Sequence, residues 1–432
     1  MRHLLLRACV VSTAAAVLAA CGSGGTQEQS AGGNSTDSFK GRGPITLAGG
    51  KDNTGVLAKM LDKWNKSHRK EQVRFIELPD NADDQRQRMI QNAELKSGEF
   101  SVLSLDVVWT AEFAANRWVA ELPKDRFEAG KYLEPTLEGA SYLGRLYAAP
   151  WTSDGGLLYY RSDLLKQVGA QPPRTWAEME QTCQKVLALP QGRGMSCYAG
   201  QFDKYEGLTV NFSEMIDGAG GSVVDKDGKP TVDSPEALKG LSFFTDAYKS
   251  GLIPKKAITF KEEEGRQAFQ QSRLVFHRQW PYQWSLANAK DGSSKVAGKF
   301  GVAPLPGLNG PGVSSLGGHN LAVSRFAENK ATALDFITFI TSEQSQRENL
   351  LLSSNAPTIA SLYDDPAMIE KYPYLPVLKS SILSAAPRPR VVRYGDATAA
   401  IQGAAYQALQ GGTPPAAALK ELQERLEKIA KP

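Results

Sequence analysis

The sequence has few of the residues that metal sites and common hydrolases depend on. Only four of its 432 residues are cysteine and four are histidine, the latter at positions 3, 68, 277 and 319. Neither an H-E-x-x-H nor a G-x-S-x-G motif occurs. Because the histidines are scattered, none has the spacing of a metal ligand set, and we expect neither a metal nor a cofactor.

An excess of charge of one sign is also missing. The formal net charge is +4, and no basic run is longer than the Lys255-Lys256 pair. Proteins that bind phosphate backbones concentrate lysine and arginine on one surface. We therefore expect no nucleic-acid partner.

Long hydrophobic runs are confined to the N-terminus. Nothing after residue 21 approaches the roughly 18 consecutive apolar residues that span a bilayer. Residues 1–21 carry Arg2 and Arg7, an apolar stretch and the sequence L-A-A-C, which resembles a bacterial lipobox. We expect a lipoprotein signal peptide and a lipidated Cys21, with an ordinary secretory signal as the alternative. Two acyl chains would anchor a monomer at the extracellular face of the cell membrane.

Residues 22–43 follow and are rich in Gly, Ser, Thr, Asn and Gln. This composition predicts a flexible tether of about 20 residues, so the globular part begins near Pro44.

Two cysteines remain beyond it, Cys183 and Cys197. In an oxidising compartment we expect a disulfide that closes a loop of about 15 residues and contributes roughly 3 kcal/mol. Two buried free thiols are the alternative.

The mature chain is long enough for two domains, since about 390 residues exceed what one core usually organises. Strands and helices alternate first, over residues 45–49, 53–68, 72–79, 81–98 and 105–109. Such alternation predicts an α/β fold with parallel strands, and ligands bind beyond the carboxyl ends of those strands. Asp52, Asp106 and Trp109 would lie near one mouth.

The rest of the sequence predicts mainly helices and two crossing strands. Helices are expected over residues 175–189, 234–251, 333–352 and 420–430. Thr175 with Glu178 forms a capping-box pattern, and Ser234 precedes a proline at the first helical position. The stretches 146–165 and 314–324 contain Gly-Gly pairs between apolar runs, which suits strands that pass from one domain to the other.

The segment "FHRQWPYQW", residues 276–284, concentrates aromatic rings and polar side chains. Arg278, Gln279 and Gln283 do not suit a dry core, so we expect a cleft wall there rather than a buried strand. Trp280 is the predicted stacking platform. For Tyr282 and Trp284, both a place in the cleft wall and packing in the core stay open.

These features resemble the extracellular solute-binding proteins of bacterial ABC sugar importers over essentially the whole mature chain. Five stretches resemble the actinobacterial trehalose-binding lipoproteins of the LpqY type: "LDVVWTAEF" (105–113), "LYAAP" (146–150), Trp280-Pro281, "GGHNLAVS" (317–324) and "AAPRP" (385–389). The resemblance implies a two-lobed periplasmic-binding-protein fold of class II, similar to maltose-binding protein. It implies an N-lobe of residues 44–151 and 318–358, a C-lobe of residues 152–317 and 359–432, and crossings near residues 150–153, 316–318 and 357–360.

The implied function is capture of an oligosaccharide, in first place an α-glucoside disaccharide such as trehalose or maltose, and its delivery to the transmembrane subunits of an ABC permease. Such a protein is not an enzyme. Two alternatives stay open. Asp106 and Asp154 could flank a glycosidic bond in an anchored extracellular hydrolase. The chain could also bind a solute that is not a glucoside, such as a peptide or polyamine.

Sugar chemistry and the resemblance together select the site residues. Sugars need planar groups for paired hydroxyls and aromatic faces for C–H patches. The ten candidates are Asp52, Gln85, Asp106, Trp109, Asp154, His277, Trp280, Tyr282, Gly318 and Arg388. Gly317 and Gly318 would let the backbone approach the sugar. Two positions depart from the trehalose-type pattern, because Asp154 stands where an asparagine is expected and His277 where a glutamate is expected.

Overall fold

The computed structural model describes residues 38–225, 227–389 and 391–430. The predicted signal peptide, Cys21 and most of the tether lie outside these residues. In the described part, no helix combines the length and the apolar character that a membrane crossing requires.

Eleven named strands occur in the described residues, and most of them form two separate sheets. They are β1 (Ile45–Gly49), β2 (Val73–Glu77), β3 (Val102–Asp106), β4 (Ser141–Tyr142), β5 (Arg145–Leu146), β6 (Ala149–Gly155), β7 (Leu157–Tyr160), β8 (Ser196–Ala199), β9 (Leu274–Gln279), β10 (Gly301–Ala303) and β11 (Leu316–Val323). The first sheet has the order β2-β1-β3-β11-β6 and the second β10-β7-β9-β8, while β4 and β5 pair as a short ribbon.

The first sheet is parallel where strands and helices alternate. Strand β1 pairs in parallel with both β2 and β3. The late strand β11 then adds antiparallel to β3 and also pairs antiparallel with β6. The predicted α/β alternation with parallel strands is thus confirmed, and the sheet is completed by strands that come from much later in the chain.

Helices cover the sheets. They are α1 (Val56–Ser67), α2 (Ala82–Glu94), α3 (Thr110–Ala115), α4 (Glu134–Gly139), α5 (Ser162–Gln167), α6 (Trp176–Leu187), α7 (Glu206–Gly218), α8 (Pro235–Ser250), α9 (Glu262–Gln270), α10 (Gln283–Ala287), α11 (Lys330–Ile340), α12 (Glu343–Ser353), α13 (Pro366–Lys371), α14 (Leu375–Leu383), α15 (Tyr394–Leu409) and α16 (Pro415–Ala430).

Helix starts follow the expected capping chemistry. The Thr175 hydroxyl accepts from the backbone N–H of Glu178, whose carboxylate accepts from the Thr175 N–H in return. Ser234 likewise accepts from Ala237 at the start of α8, with Pro235 at the first position. Each such cap satisfies backbone donors that lack partners inside the helix. Both predicted caps are confirmed.

Several predicted boundaries are wrong, and the last helix, for example, begins at Pro415 rather than at residue 420. The third strand lies over Val102–Asp106 rather than residues 105–109, and the backbone turns directly after Asp106. The single helix expected over residues 333–352 is divided into α11 and α12. Ser342 separates them, because its hydroxyl accepts from the Ser345 N–H and begins a new helix.

Strand β9 corrects the interpretation of the aromatic segment. All six of its residues are buried, including Arg278 and Gln279, and the following Gln283 is buried as well. Arg278 donates to both carboxylate oxygens of Glu214, at 2.8 and 2.5 Å. Gln279 donates to the Glu262 carbonyl at 2.8 Å. Arg278 and Gln279 tolerate burial because each has hydrogen-bonding partners. The polar residues of this segment are therefore compatible with a buried strand, contrary to the prediction.

Cys183 and Cys197 form a disulfide between α6 and β8, with their Cα atoms 5.5 Å apart. Both side chains are buried. The bridge therefore ties a helix to an edge strand of the second sheet.

The two sheets are joined by a continuous stretch of chain. Strands β6 and β7 belong to different sheets, and only Gly156 lies between them. A side chain at Gly156 would meet the Arg278 guanidinium and the Glu214 carboxylate, both 2.7 Å from the position of a Cβ. The residue limits of the two lobes stay predictions. Each lobe would be built around one of the two sheets.

Candidate ligand-binding cleft

A cavity of about 340 Å³ lies between the two sheets and takes its walls from both. This volume falls within the range of small-molecule sites, about 300–1,000 Å³. Nine of the ten candidate residues line it: Asp52, Gln85, Asp106, Trp109, Asp154, Trp280, Tyr282, Gly318 and Arg388. The carboxyl end of β3 and the crossing strands β6 and β11 converge there, as the sheet topology requires.

Trp280 directly follows β9, and two contacts hold its ring. The Arg278 guanidinium carbon is 3.8 Å from the centroid of its ring. The backbone of Gly317 meets the ring as well, since a Cβ there would be 2.8 Å from two ring carbons. Cation–π contact and close packing orient the indole, which is half-buried and faces the cavity with its remaining surface.

Asp154 is a carboxylate without a hydrogen-bond donor among the described residues. It lies on β6 opposite Gly317 of β11 and lines the cavity next to Trp280. Burial raises its pKa to about 7, although Arg278 lowers the pKa and Asp106 raises it further. Two acceptor oxygens beside an aromatic ring suit a ligand that donates hydroxyl hydrogen bonds.

Asp106 and Arg388 face each other at the base of the cavity. Arg388 Nη2 donates to Asp106 Oδ1 at 2.7 Å, and Nη1 donates to Glu206 Oε1 at 2.5 Å. Arg388 is 1% exposed and Asp106 is 15% exposed. The guanidinium thus binds two carboxylates, and Asp106 is the more exposed member of its pair with Arg388 in the cavity wall.

Other candidates are engaged in holding the wall itself. Both oxygens of Asp52 accept backbone donors at the start of α1, including the Leu57 N–H at 2.7 Å. The Gln85 amide donates to the Pro79 carbonyl at 2.8 Å, and the Tyr282 hydroxyl donates to Glu263 at 2.9 Å. Asp52 therefore acts first as a helix cap, although it lies in the wall.

Trp109 and Gly318 shape the backbone of the site. Trp109 is buried at the start of α3, where its N–H donates to the Asp106 carbonyl at 2.9 Å. Gly318 has φ 109°, a conformation that only glycine adopts easily, and a Cβ would strike the Thr152 carbonyl. Its position in β11 is thus restricted to glycine on two grounds.

The assignment of His277 to the ligand site needs correction. Its ring is fully buried in β9, where Nδ1 shares a hydrogen bond with Gln283 at 2.7 Å, and it is not part of the cavity wall. Burial lowers the pKa of the imidazole to about 3, so it stays neutral. Successive residues of a strand point to opposite sides, which turns His277 away from the face that carries Arg278.

Sequence reasoning missed several wall residues. They are Trp151, Tyr205, His319, Asn349, Asn355 and the run Lys261–Glu264. Trp151 lies in the crossing strand β6, three residues before Asp154, so its neighbourhood was visible in the sequence. Asn349 and Asn355 come from the end of α12 and the loop after it, where nothing in the local pattern marks a ligand contact.

No metal site accompanies this wall. Over the three described stretches of the chain, no group of three or more His, Cys, Asp or Glu side chains is arranged to hold a metal ion. The cavity instead combines aromatic rings with carboxylates and amides, which is a set suited to binding a polar solute.

Comparisons with known proteins agree with this architecture. The family model described as bacterial extracellular solute-binding protein matches residues 59–377. A probable ABC transporter-binding protein of Deinococcus radiodurans is 33% identical over 401 residues, covering 89% of this chain and 94% of that protein. A mannitol-binding protein of Pseudomonas aeruginosa is 25% identical over 352 residues, 78% of each.

A solved structure adds the fold in three dimensions. Maltose-bound MalE3 of T. maritima superimposes with a TM-score of 0.84 at 35% identity, covering 89% of this chain and 99% of that one. The predicted two-lobed α/β fold similar to maltose-binding protein is confirmed. These relatives bind solutes for transporters and are not enzymes, which also confirms the prediction that this chain is not one. The chain belongs to the family of bacterial extracellular solute-binding proteins.

Proposed function

We propose that this chain is the substrate-binding protein of an ABC transporter for sugars or polyols, and that its solute is an α-linked glucose disaccharide, maltose before trehalose. The chain would capture the sugar in the cleft, close on it and present the closed form to the transmembrane subunits of the permease. The sugar shifts the chain toward the closed form only if it binds that form more tightly than the open one. The permease can then respond to the presence of sugar by recognising the closed form.

The pairing of Trp280 with Asp154 carries this proposal. The indole supplies a flat apolar surface whose orientation is set by Arg278 and Gly317. Beside it, the Asp154 carboxylate lacks a donor among the described residues and offers two acceptor oxygens. A pyranose ring presents a C–H face and adjacent hydroxyls at its rim, which matches both groups at once.

A polyol is the second candidate, because a mannitol-binding protein is among the relatives. An open-chain polyol has the hydroxyls for Asp154 and Asp106 but no ring face for Trp280. Trp151 and Tyr282, which are only partly buried, add further aromatic surface to the same cavity. This amount of aromatic wall favours a cyclic sugar.

Attachment to the membrane is part of the same proposal. The L-A-A-C run at residues 18–21 supports lipidation of Cys21, with residues 22–43 as a tether and an extracellular location. The lobes would be residues 44–151 with 318–358 and residues 152–317 with 359–432. The protein would work as a monomer, since one chain supplies both walls of the cavity.

Isothermal titration of the tether-free protein with maltose, trehalose, cellobiose and mannitol tests the solute class. We expect binding of the two α-linked disaccharides, with the sugar recovered intact. Cellobiose is the matched control, because it has the same two glucose units joined by a β linkage. Tightest binding of mannitol would select the polyol candidate, and no binding of any of the four would reject both.

A further inference from the structure

One buried carboxylate, Glu206, is the centre of a hydrogen-bonded network at the base of the cleft. Glu206 is the first residue of α7 and is 3% exposed. Its Oε1 accepts from Arg388 Nη1 at 2.5 Å and from the Tyr394 hydroxyl. Its Oε2 accepts from Thr398 Oγ1 at 2.7 Å. Helix α7 follows β8 of the second sheet, so Glu206 belongs to that side of the cleft.

Arg388 carries the network across to the first sheet. Its Nη2 donates to Asp106 Oδ1 at 2.7 Å, and its Nη1 lies 3.3 Å from Asp106 Oδ2. Asp106 is the last residue of β3 and faces the cavity. One guanidinium therefore holds a ligand-facing carboxylate from one sheet and a buried carboxylate from the other.

A second route makes the same crossing. Gln402 of α15 donates to Thr398 Oγ1 and also lies 3.0 Å from Asp83 Oδ2 of α2. In the chain, helix α2 connects the strands β2 and β3 of the first sheet. Helix α15, by contrast, packs on α7. Thr398 in turn donates to Glu206, so both routes end at the same carboxylate.

The charges in this network do not cancel. Asp106 and Asp83 contribute two further carboxylates near Glu206, Arg388 donates to it, and Tyr394 is a further titratable neighbour. A second guanidinium, Arg86, lowers the pKa of Asp83 and is itself paired with Glu112. Burial raises the pKa of Glu206 to about 7; Arg388 lowers the pKa, and Asp106 and Asp83 raise it. In an open cleft, water would reach these groups and the two carboxylates of the first sheet would move away.

We propose that Arg388 and Glu206 are positioning residues that hold Asp106 toward the solute and join the two sides of the cleft, and that Glu206 takes up a proton when the cleft closes. The first experiment below uses maltose, so that test rests on the proposed function. Closure removes water from Glu206 and adds two negative neighbours, so the neutral acid is the favoured form below about pH 7, although Arg388, Tyr394 and Thr398 all donate to the carboxylate. A role in packing alone would not couple closure to a proton.

Titration calorimetry in buffers of different ionisation enthalpy measures this proton. When the pKa of about 7 in this structure is taken for the closed form and an ordinary pKa for the open form, uptake at pH 6 is roughly 0.9 proton per maltose bound from this residue. Glu206→Gln keeps the shape and the hydrogen bond to Arg388, and we expect this uptake to disappear. Asp217→Asn is the matched control, because Asp217 lies on the same helix outside the cavity wall and burial likewise raises its pKa to about 7.

The outcomes separate clearly. Loss of uptake in Glu206→Gln, with wild-type uptake in Asp217→Asn, supports the proposal. Equal uptake in wild type and Glu206→Gln, or none in wild type, overturns it. Thr398→Val provides a second variant, since loss of a donor to Glu206 raises the pKa further and should increase uptake at pH 7.5.

A readout without sugar keeps this test independent of the solute. Small-angle scattering of the ligand-free chain should show a larger radius of gyration at pH 8.5 than at pH 6, because the ionised network favours the open cleft. Glu206→Gln should reduce that change, and Asp154→Asn is the comparison, because burial also raises the pKa of Asp154 to about 7. If no sugar binds but this pH response is present and depends on Glu206, the solute assignment fails while the network proposal stands. A scattering profile that is the same at both pH values overturns the network.

Discussion

The Trp280 indole lies against the backbone of Gly317, where a Cβ would come within 2.8 Å of two ring carbons. Gly317 belongs to β11 of the first sheet and Trp280 follows β9 of the second. This contact therefore brings the ring and a crossing strand together without a side chain between them. It sets how deeply the ring enters the cleft.

Gly317→Ala should weaken maltose binding by about tenfold, because the added methyl must displace the ring from its position. Titration calorimetry measures the loss. In a Trp280→Ala background the same change should cost little, since the clash is gone. Gly310→Ala is the control, because a Cβ there meets nothing within 4 Å. Equal losses for Gly317→Ala in both backgrounds would show that the contact does not matter.

Trp280→Ala should reduce maltose affinity by about 10- to 100-fold, since a central aromatic platform contributes roughly 1–3 kcal/mol. Trp284→Phe is the matched control. Trp284 is partly buried, packs against Phe300 and Tyr374 at the edge of the core, and is not part of the cavity wall. We expect that variant to lower the melting temperature while the dissociation constant stays the same. Unchanged affinity in Trp280→Ala would reject the stacking role.

Asp154→Asn should stabilise the ligand-free protein more at pH 8.5 than at pH 5. Burial raises the pKa of Asp154 to about 7, from an ordinary value of 3.8. Ionisation of the buried Asp154 therefore lowers the free energy of unfolding. This loss is absent at low pH and grows as the pH rises toward 7. We expect a gain of about 1 to 3 kcal/mol at pH 8.5, measured by thermal unfolding. A gain that is equal at both pH values would contradict an elevated pKa. Maltose affinity should fall in the same variant.

Replacing both Cys183 and Cys197 by serine should lower the free energy of unfolding by about 2 to 4 kcal/mol. The bridge joins α6 to β8 and lies outside the cavity wall, so maltose affinity should not change. Reductant should destabilise the wild type to a similar degree and leave the double variant unaffected. A change in affinity would mean that the bridge supports the cleft itself.

Much of the fold was predictable because its signals are local. The alternation over residues 45–109 and the caps at Thr175 and Ser234 depend on neighbours within a few positions. The division of the helix at Ser342 was harder to foresee. No glycine or proline interrupts residues 333–352, and a serine hydroxyl either caps a helix or points to solvent with the same sequence around it.

The site was only partly predictable, since its decisive contacts join distant residues. The partner of Arg388 is Asp106, which lies 282 positions away, so the sequence could not reveal that the guanidinium is already engaged. Arg278 seemed unsuited to a core for the same reason, because Glu214 was not known to face it. His277 was assigned by its neighbours in sequence, although a single step along a strand turns a side chain to the opposite side.

The single residue between β6 and β7 also has a mechanical consequence. Any rotation of one sheet relative to the other must be taken up in part by the backbone at Gly155 and Gly156, next to Asp154. Asp154 thus lies directly beside the backbone that such a rotation would bend, whereas Lys261 lies on another element of the wall. In the proposed function, a solute bound to Asp154 would therefore move less than the more distant parts of the wall as the cleft closes.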